Sequence, residues 1–198
     1  LENKRLKNIV DDYLVKSDAV FAKVLSDKGS PFLKSIIINK GSKHNISLGM
    51  IAMDGEYLVG KVVEVNYMSS RVLLLSDLNS KIPVIIEPNE VFSILSGTGK
   101  NYGVIQYSKK YEDIKSESII YTSGAGSLFK AGMPVGKIIK NKFKEIKEGL
   151  PINKIKVEFF SDFSQLRFVE IFSFTKKETE WQNLEIKILL ESCYLKYL

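Results

Sequence analysis

Few residues of this chain have the type and spacing to do chemistry. A serine hydrolase needs a nucleophile, an imidazole base and an orienting carboxylate. The sole imidazole among the 198 residues is His44. It sits in Lys40-Gly41-Ser42-Lys43-His44-Asn45, which reads as a solvated turn. Ser123-Gly124-Ala125-Gly126-Ser127 could house a nucleophile but lacks an Asp-Ser-Gly context. One His and one Cys, Cys193, exclude a two-imidazole metal site, a Cys-rich zinc site and an intramolecular disulfide.

The remaining motifs also point to turns. Ser96-Gly97-Thr98-Gly99-Lys100-Asn101 resembles the end of a phosphate-binding loop. It has Ile94 where the motif needs its first Gly and Asn101 where it needs Ser or Thr. Gly124-Ala125-Gly126 lacks the third Gly and the helix of a dinucleotide site. Asp11, Asp12, Asp27, Asp54, Asp77, Asp113 and Asp162 show no calcium-loop spacing. Asp77 and Asp162 each follow a strand and a Ser, the setting of an Asx turn. The residues therefore predict no catalytic, metal or cofactor-binding site.

Charge narrows the partners. Lys+Arg number 29 against 23 Asp+Glu, a net charge of +6, with a pI near 9.2. Only Arg5, Arg71 and Arg167 are arginines. Nucleic-acid readers lean on Arg forks and on basic faces interleaved with aromatics. The densest basic run is Lys137, Lys140, Lys142, Lys144 and Lys147, broken by Glu145. It reads as a solvated strand and loop, so no nucleic-acid partner is expected. No apolar run reaches the ~18–20 residues that span a bilayer. Because the chain opens on Leu1 rather than Met, it is expected to be a fragment.

The elements follow from periodicity. Leu6, Ile9 and Tyr13 make a stripe at spacings of three and four, predicting a helix over 1–18 that ends a coiled coil. Beyond Ala19 short β-type runs are closed by turn residues. Strands are predicted at Val20–Leu25, Ser35–Ile38, Tyr57–Val65, Arg71–Leu75, Pro83–Ile86, Val91–Leu95 and Gly103–Tyr107. Others are predicted at Ser118–Thr122, Val135–Ile139, Lys154–Phe160 and Phe168–Phe172.

An internal repeat organises these strands. Val20-Phe21-Ala22-Lys23-Val24-Leu25 parallels Val91-Phe92-Ser93-Ile94-Leu95 at an offset of 71 residues. Leu58-Val59-Gly60-Lys61 parallels Pro134-Val135-Gly136-Lys137 at 76, and Leu75-Ser76-Asp77 parallels Phe160-Ser161-Asp162 at 85. The expected fold is mainly β: an N-terminal helix, then two related small β-barrels from a duplicated unit, at 19–89 and 90–174. The repeat leaves room for strand exchange between the halves. The tail, 175–198, has Trp181, Leu184 and Ile188 on one helical face. It also alternates as a strand through Leu184, Ile186, Ile188 and Leu190.

Read together, Ile38-Asn39-Lys40-Gly41-Ser42-Lys43 with Gly49-Met50, Leu58 to Val65, and Ser69 to Asp77 resemble the MreC family. So do Asn79 to Val84, Ile94-Leu95-Ser96-Gly97, Thr122-Ser123-Gly124 with Ala125-Gly126, and Phe129-Lys130-Ala131-Gly132-Met133-Pro134-Val135-Gly136. The resemblance spans about residues 1–174. It implies the periplasmic region of a bitopic bacterial inner-membrane protein, with its membrane anchor before Leu1. It implies a non-catalytic scaffold of cell-wall elongation and rod shape. The implied partners are a class B penicillin-binding transpeptidase, MreD and other elongation proteins, and a second copy in a homodimer or filament. His44 departs from the Asp or Gly usual in the family, and the tail fits no family pattern.

Two surfaces are expected to do the binding. Leu6, Ile9 and Tyr13 would form the dimer seam. Interface centres favour Tyr, Phe and Met, so Tyr107, Tyr111, Phe129 and Met133, in otherwise loop-like segments, are candidate transpeptidase contacts. The competing classes are a chymotrypsin-like hydrolase, requiring His44, and a nucleic-acid-binding barrel, requiring steep salt dependence.

Overall fold

The computed structural model describes residues 19–25, 34–106, 114–127, 129–147 and 150–173. The expected helix with Leu6, Ile9 and Tyr13, the loop with Tyr107 and Tyr111, and the tail 175–198 lie outside them.

Twelve strands are present among the described residues. They are β1 (Val20–Leu25), β2 (Ser35–Ile38), β3 (Ile51–Asp54), β4 (Tyr57–Val65), β5 (Ser70–Leu74) and β6 (Lys81–Ile86). Then come β7 (Val91–Gly97), β8 (Tyr102–Gln106), β9 (Ile119–Thr122), β10 (Pro134–Lys147), β11 (Leu150–Phe159) and β12 (Phe168–Phe172). Only β3 is missing from the sequence reading. Its run Ile51-Ala52-Met53 is short, all apolar and buried on both sides of the pleat, so alternation does not reveal it.

The strands close into two six-stranded antiparallel barrels, ordered β1-β12-β3-β4-β5-β2 and β10-β11-β8-β7-β6-β9. This corrects the linear division at residue 89. β6, expected in the first barrel, pairs with β7 and β9 in the second. β12, expected in the second, pairs with β1 and β3 in the first. Replacing β1–β5 by β7–β11 and β12 by β6 converts one strand order into the other. Each repeat therefore supplies five strands to its own barrel and its sixth to the other. The physical reason is the short link after Asp77. Leu75 N–H donates to Val59 O at 3.0 Å and Gly97 N–H to Ser80 O at 3.0 Å, which delivers β6 to the edge of β7.

Each barrel has its own core. Ala22, Ile38, Val59, Val62, Val72 and Ile171 fill the first. Val84, Leu95, Ile105, Ile120, Val135, Ile138 and Val157 fill the second. The second cluster continues into Ile51, Met53 and Leu58 of the first barrel, and Phe163 packs against both. The Tyr57 and Phe160 rings meet across the junction, tilted by 36° with centroids 5.1 Å apart. The barrels meet through apolar contact as well as through exchanged strands.

Close backbone approaches demand glycine at several positions, two of them on strands that correspond in the two barrels. A Cβ on Gly60 would lie 2.0 Å from Leu73 O, and one on Gly136 would lie 2.1 Å from Glu158 O. These positions are repeat-mates on β4 and β10, just where strands bend for barrel closure.

Candidate docking surface

The polar residues with chemical potential are committed to local turns. His44 ends a 3₁₀ turn, Ser42–His44, and its Nδ1 accepts from Gly41 N–H at 3.5 Å. Loss of solvation, then the Lys40 and Lys43 charges, hold its pKa below the usual value. Ser123 Oγ accepts from Ala125 N–H at 3.3 Å, closing the Gly-rich turn on itself. Thr98 Oγ1 donates to Tyr102 O at 2.5 Å across the Gly97–Gly99 turn. Asp77 Oδ1 accepts from Asn79 N–H at 2.7 Å, and Asp162 Oδ1 accepts from Ser164 N–H at 3.0 Å, so both are Asx turns. Among the described residues, no group of three or more His, Cys, Asp or Glu is placed to hold a metal. No described helix is long and apolar enough to cross a membrane.

Phe129 and Met133, expected on the surface, are buried in the second barrel, 6% and 7% exposed. The cause is the fully buried Thr122. Its hydroxyl donates to Lys130 O, and its Oγ1 accepts from Met133 N–H at 3.0 Å. Gly132 N–H donates to Thr122 O at 2.8 Å. These bonds hold the loop against the strand, with Phe129 and Met133 in the second core.

The exposed apolar surface lies on strand faces. A solvated barrel wall should alternate apolar-in with polar-out. On β6, β7 and β9 the outward positions are Lys81, Pro83, Ile85, Phe92, Ile94, Ile119 and Tyr121, and only Lys81 is charged. The register aligns three of these outward residues with Pro134 of β10 in one row: Phe92 opposite Ile85, Ile85 opposite Tyr121, Tyr121 opposite Pro134. Ile94 opposite Pro83 starts a second row. Phe92 is 66% exposed and Ile119 39%, while Pro83, Ile85, Ile94, Tyr121 and Pro134 are half-buried. On the side of β10, Lys137 bounds the face, 3.8 Å from Glu117 and 3.6 Å from Glu158.

The first barrel repeats the feature in diluted form. Phe21, the repeat-mate of Phe92, is also 66% exposed. Its outward neighbours across β12 are Glu170, directly opposite, and Phe168, paired with Lys23. Charge thus interrupts this face where the second barrel is apolar. The signal for Phe92 was present in the sequence. In Val91-Phe92-Ser93-Ile94-Leu95, every residue but Ser93 is apolar, so either phase of the strand would expose large side chains.

Comparison with known proteins agrees with this architecture. The model of the rod shape-determining protein MreC barrel core matches residues 24–173. The cell shape-determining protein MreC of Cereibacter sphaeroides is 31% identical over 148 residues, covering 75% of this chain and 46% of its own length. The crystal structure of MreC from Pseudomonas aeruginosa superposes with a TM-score of 0.69 at 28% identity, covering 78% of this chain and 99% of that one. A Helicobacter pylori structure, a complex between Penicillin-Binding Protein (PBP2) and MreC, shares the fold. Its TM-score is 0.59 at 18% identity, covering 80% of this chain and 100% of that one. The chain spans about half the length of the curated relatives it matches. With two closed barrels built from exchanged repeats and a family match across nearly all of both, the chain belongs to the MreC family of rod shape-determining proteins.

Proposed function

We propose that this chain is the non-catalytic, periplasmic scaffold region of an inner-membrane protein of cell-wall elongation. It maintains rod shape by binding a class B penicillin-binding transpeptidase. The outer face of β6, β7 and β9 is the docking surface. The observation that carries this reading is the apolar row Phe92, Ile85, Tyr121 and Pro134 on a barrel wall that solvent alone would make polar. Family membership supports the shape-determining role, and the Helicobacter pylori complex supports the class of partner. Tyr107 and Tyr111, in the segment after β8, are proposed as further contacts. MreD and a second copy of the chain are proposed as additional partners, the latter through Leu6, Ile9 and Tyr13. Sedimentation of a Leu6→Glu, Tyr13→Glu variant tests that seam, which is abandoned if the oligomeric state is unchanged.

Phe92→Ser with Tyr121→Ser tests the docking face. Both side chains point outward, so the variant is expected to keep the wild-type circular dichroism spectrum and to bind the transpeptidase at least tenfold more weakly. Removing interface-centre aromatics commonly costs this much. Unchanged affinity by surface plasmon resonance refutes the face.

A further inference from the structure

We infer that the cleft between the two barrels is an anion pocket at the end of the docking face, and that it receives a carboxylate side chain of the docked protein. The cleft is about 90 Å³, lined by Lys61, Asn79, Ser80 and Lys81, with Leu75 and Phe129 as apolar wall.

Its two cations come from different barrels, Lys61 from β4 and Lys81 from β6. Among the described residues neither has an ion-pair partner. Arg71, by contrast, is 3.1 Å from Glu64, and Lys137 is shared by Glu117 and Glu158. Ser80, on the short link before β6, is only 9% exposed. Two lysines with no ion-pair partner among the described residues, a serine and an asparagine line one small space. That donor set fits a carboxylate or a phosphate. Size narrows the occupant. At about 90 Å³ the cleft has room for a carboxylate and its adjoining methylene.

Position identifies the source. Lys81 shares the outer face of β6 with Pro83 and Ile85, two and four residues on. At ~3.4 Å per residue, they lie ~7 and ~14 Å from Lys81 along the strand. A partner covering the apolar row therefore brings its next few residues over the cleft. A partner segment with Asp or Glu two to four residues beyond its apolar contacts fits both. This inference rests on the proposed docking face, and it makes the pocket the charged end of an otherwise apolar interface.

Two measurements separate the pocket from the face. In the first, the chain is titrated with inorganic phosphate at fixed ionic strength and followed by amide NMR. Saturable shifts at Gly60, Lys61, Ser80 and Lys81 are expected. Lys61→Gln with Lys81→Gln should weaken binding at least tenfold, and Lys100→Gln should leave it unchanged. Shifts that never saturate, or that persist in the double variant, overturn the pocket. In the second, transpeptidase binding is measured at low and high salt. The double Lys variant should lose about tenfold at low salt and most of the salt dependence, whereas Phe92→Ser should lose affinity at both. Phosphate binding with an unaltered transpeptidase affinity assigns the pocket to free anions and overturns the partner carboxylate. If the wild-type chain fails to bind the transpeptidase, the partner assignment falls with the docking face, and the phosphate result still decides the pocket.

Discussion

Asp77 and Asp162 occupy matching places in the two repeats, yet they carry different loads. Asp77 is fully buried. Besides Asn79 N–H it accepts Lys34 N–H on Oδ2 at 2.7 Å, joining the link before β6 to the start of β2. Asp162 is bonded within its own turn, to Ser164 N–H at 3.0 Å and to its hydroxyl at 2.7 Å. Those two bonds, the hydroxyl first, lower the Asp162 pKa. Asp77→Ala strands two backbone donors and is expected to cost about 2–4 kcal/mol in urea unfolding. Asp162→Ala is expected to leave the Tm essentially unchanged. The Asx turns were legible from residue type and spacing. The difference between them was not, because it depends on whether a second strand reaches the carboxylate.

His44 gives the corresponding pH prediction. Its folded pKa lies below the usual value because desolvation, Lys40 and Lys43 all oppose its charged form. The unfolded chain therefore binds the proton more readily. The stabilisation linked to neutral His44 is fully present above the unfolded pKa of ~6.5 and is lost as pH falls through the folded pKa. NMR titration of the imidazole should show a midpoint under that of a model peptide. Lys43→Gln should raise the midpoint, and a midpoint at or above the peptide value contradicts the electrostatic reading.

At the scale of elements, eleven of the twelve strands were readable because turn residues punctuate runs of β-forming residues. The repeat was readable too, and its offset of 85 between Asp77 and Asp162 already marks the strands that follow them. Which barrel receives β6 and β12 was not readable. An apolar-alternating strand fits the gap in either barrel, and only the link geometry after Leu75 chooses between them. Truncation tests the outcome. A chain ending at residue 165 lacks β12 and should lose amide-exchange protection in β1 and β3 of the first barrel, while β6 to β9 keep theirs. A chain ending at residue 173 should retain protection in both. Preferential loss in the second barrel would contradict the exchange.

Across the whole molecule, exchanged strands make the barrels interdependent. Opening the first barrel frees β12, which joins it to the second repeat through β11. Opening the second frees β6, which joins it to the first through β5. The second core also runs into Ile51, Met53 and Leu58 of the first barrel. Unfolding is therefore expected as one cooperative transition, with coincident urea curves from far-ultraviolet circular dichroism and tyrosine fluorescence. Two resolved transitions would show the barrels to be independent domains.

Composition, turn chemistry and the repeat were enough to establish a duplicated β protein with a dispersed set of polar residues, and its motif order resembled the MreC family. These properties are carried by local residue choices, which the linear chain displays directly. Tertiary structure alone decided the surface. Phe129 and Met133 sit in loop-like sequence yet are buried, because the Thr122 hydroxyl folds their loop inward. Phe92 and Ile85 sit in strand sequence yet form an exposed row, because pairing sets which side of the pleat faces out and aligns outward residues from separate strands. The cleft holding Lys61 and Lys81 arises only where strands exchanged between the repeats bring the two barrels together.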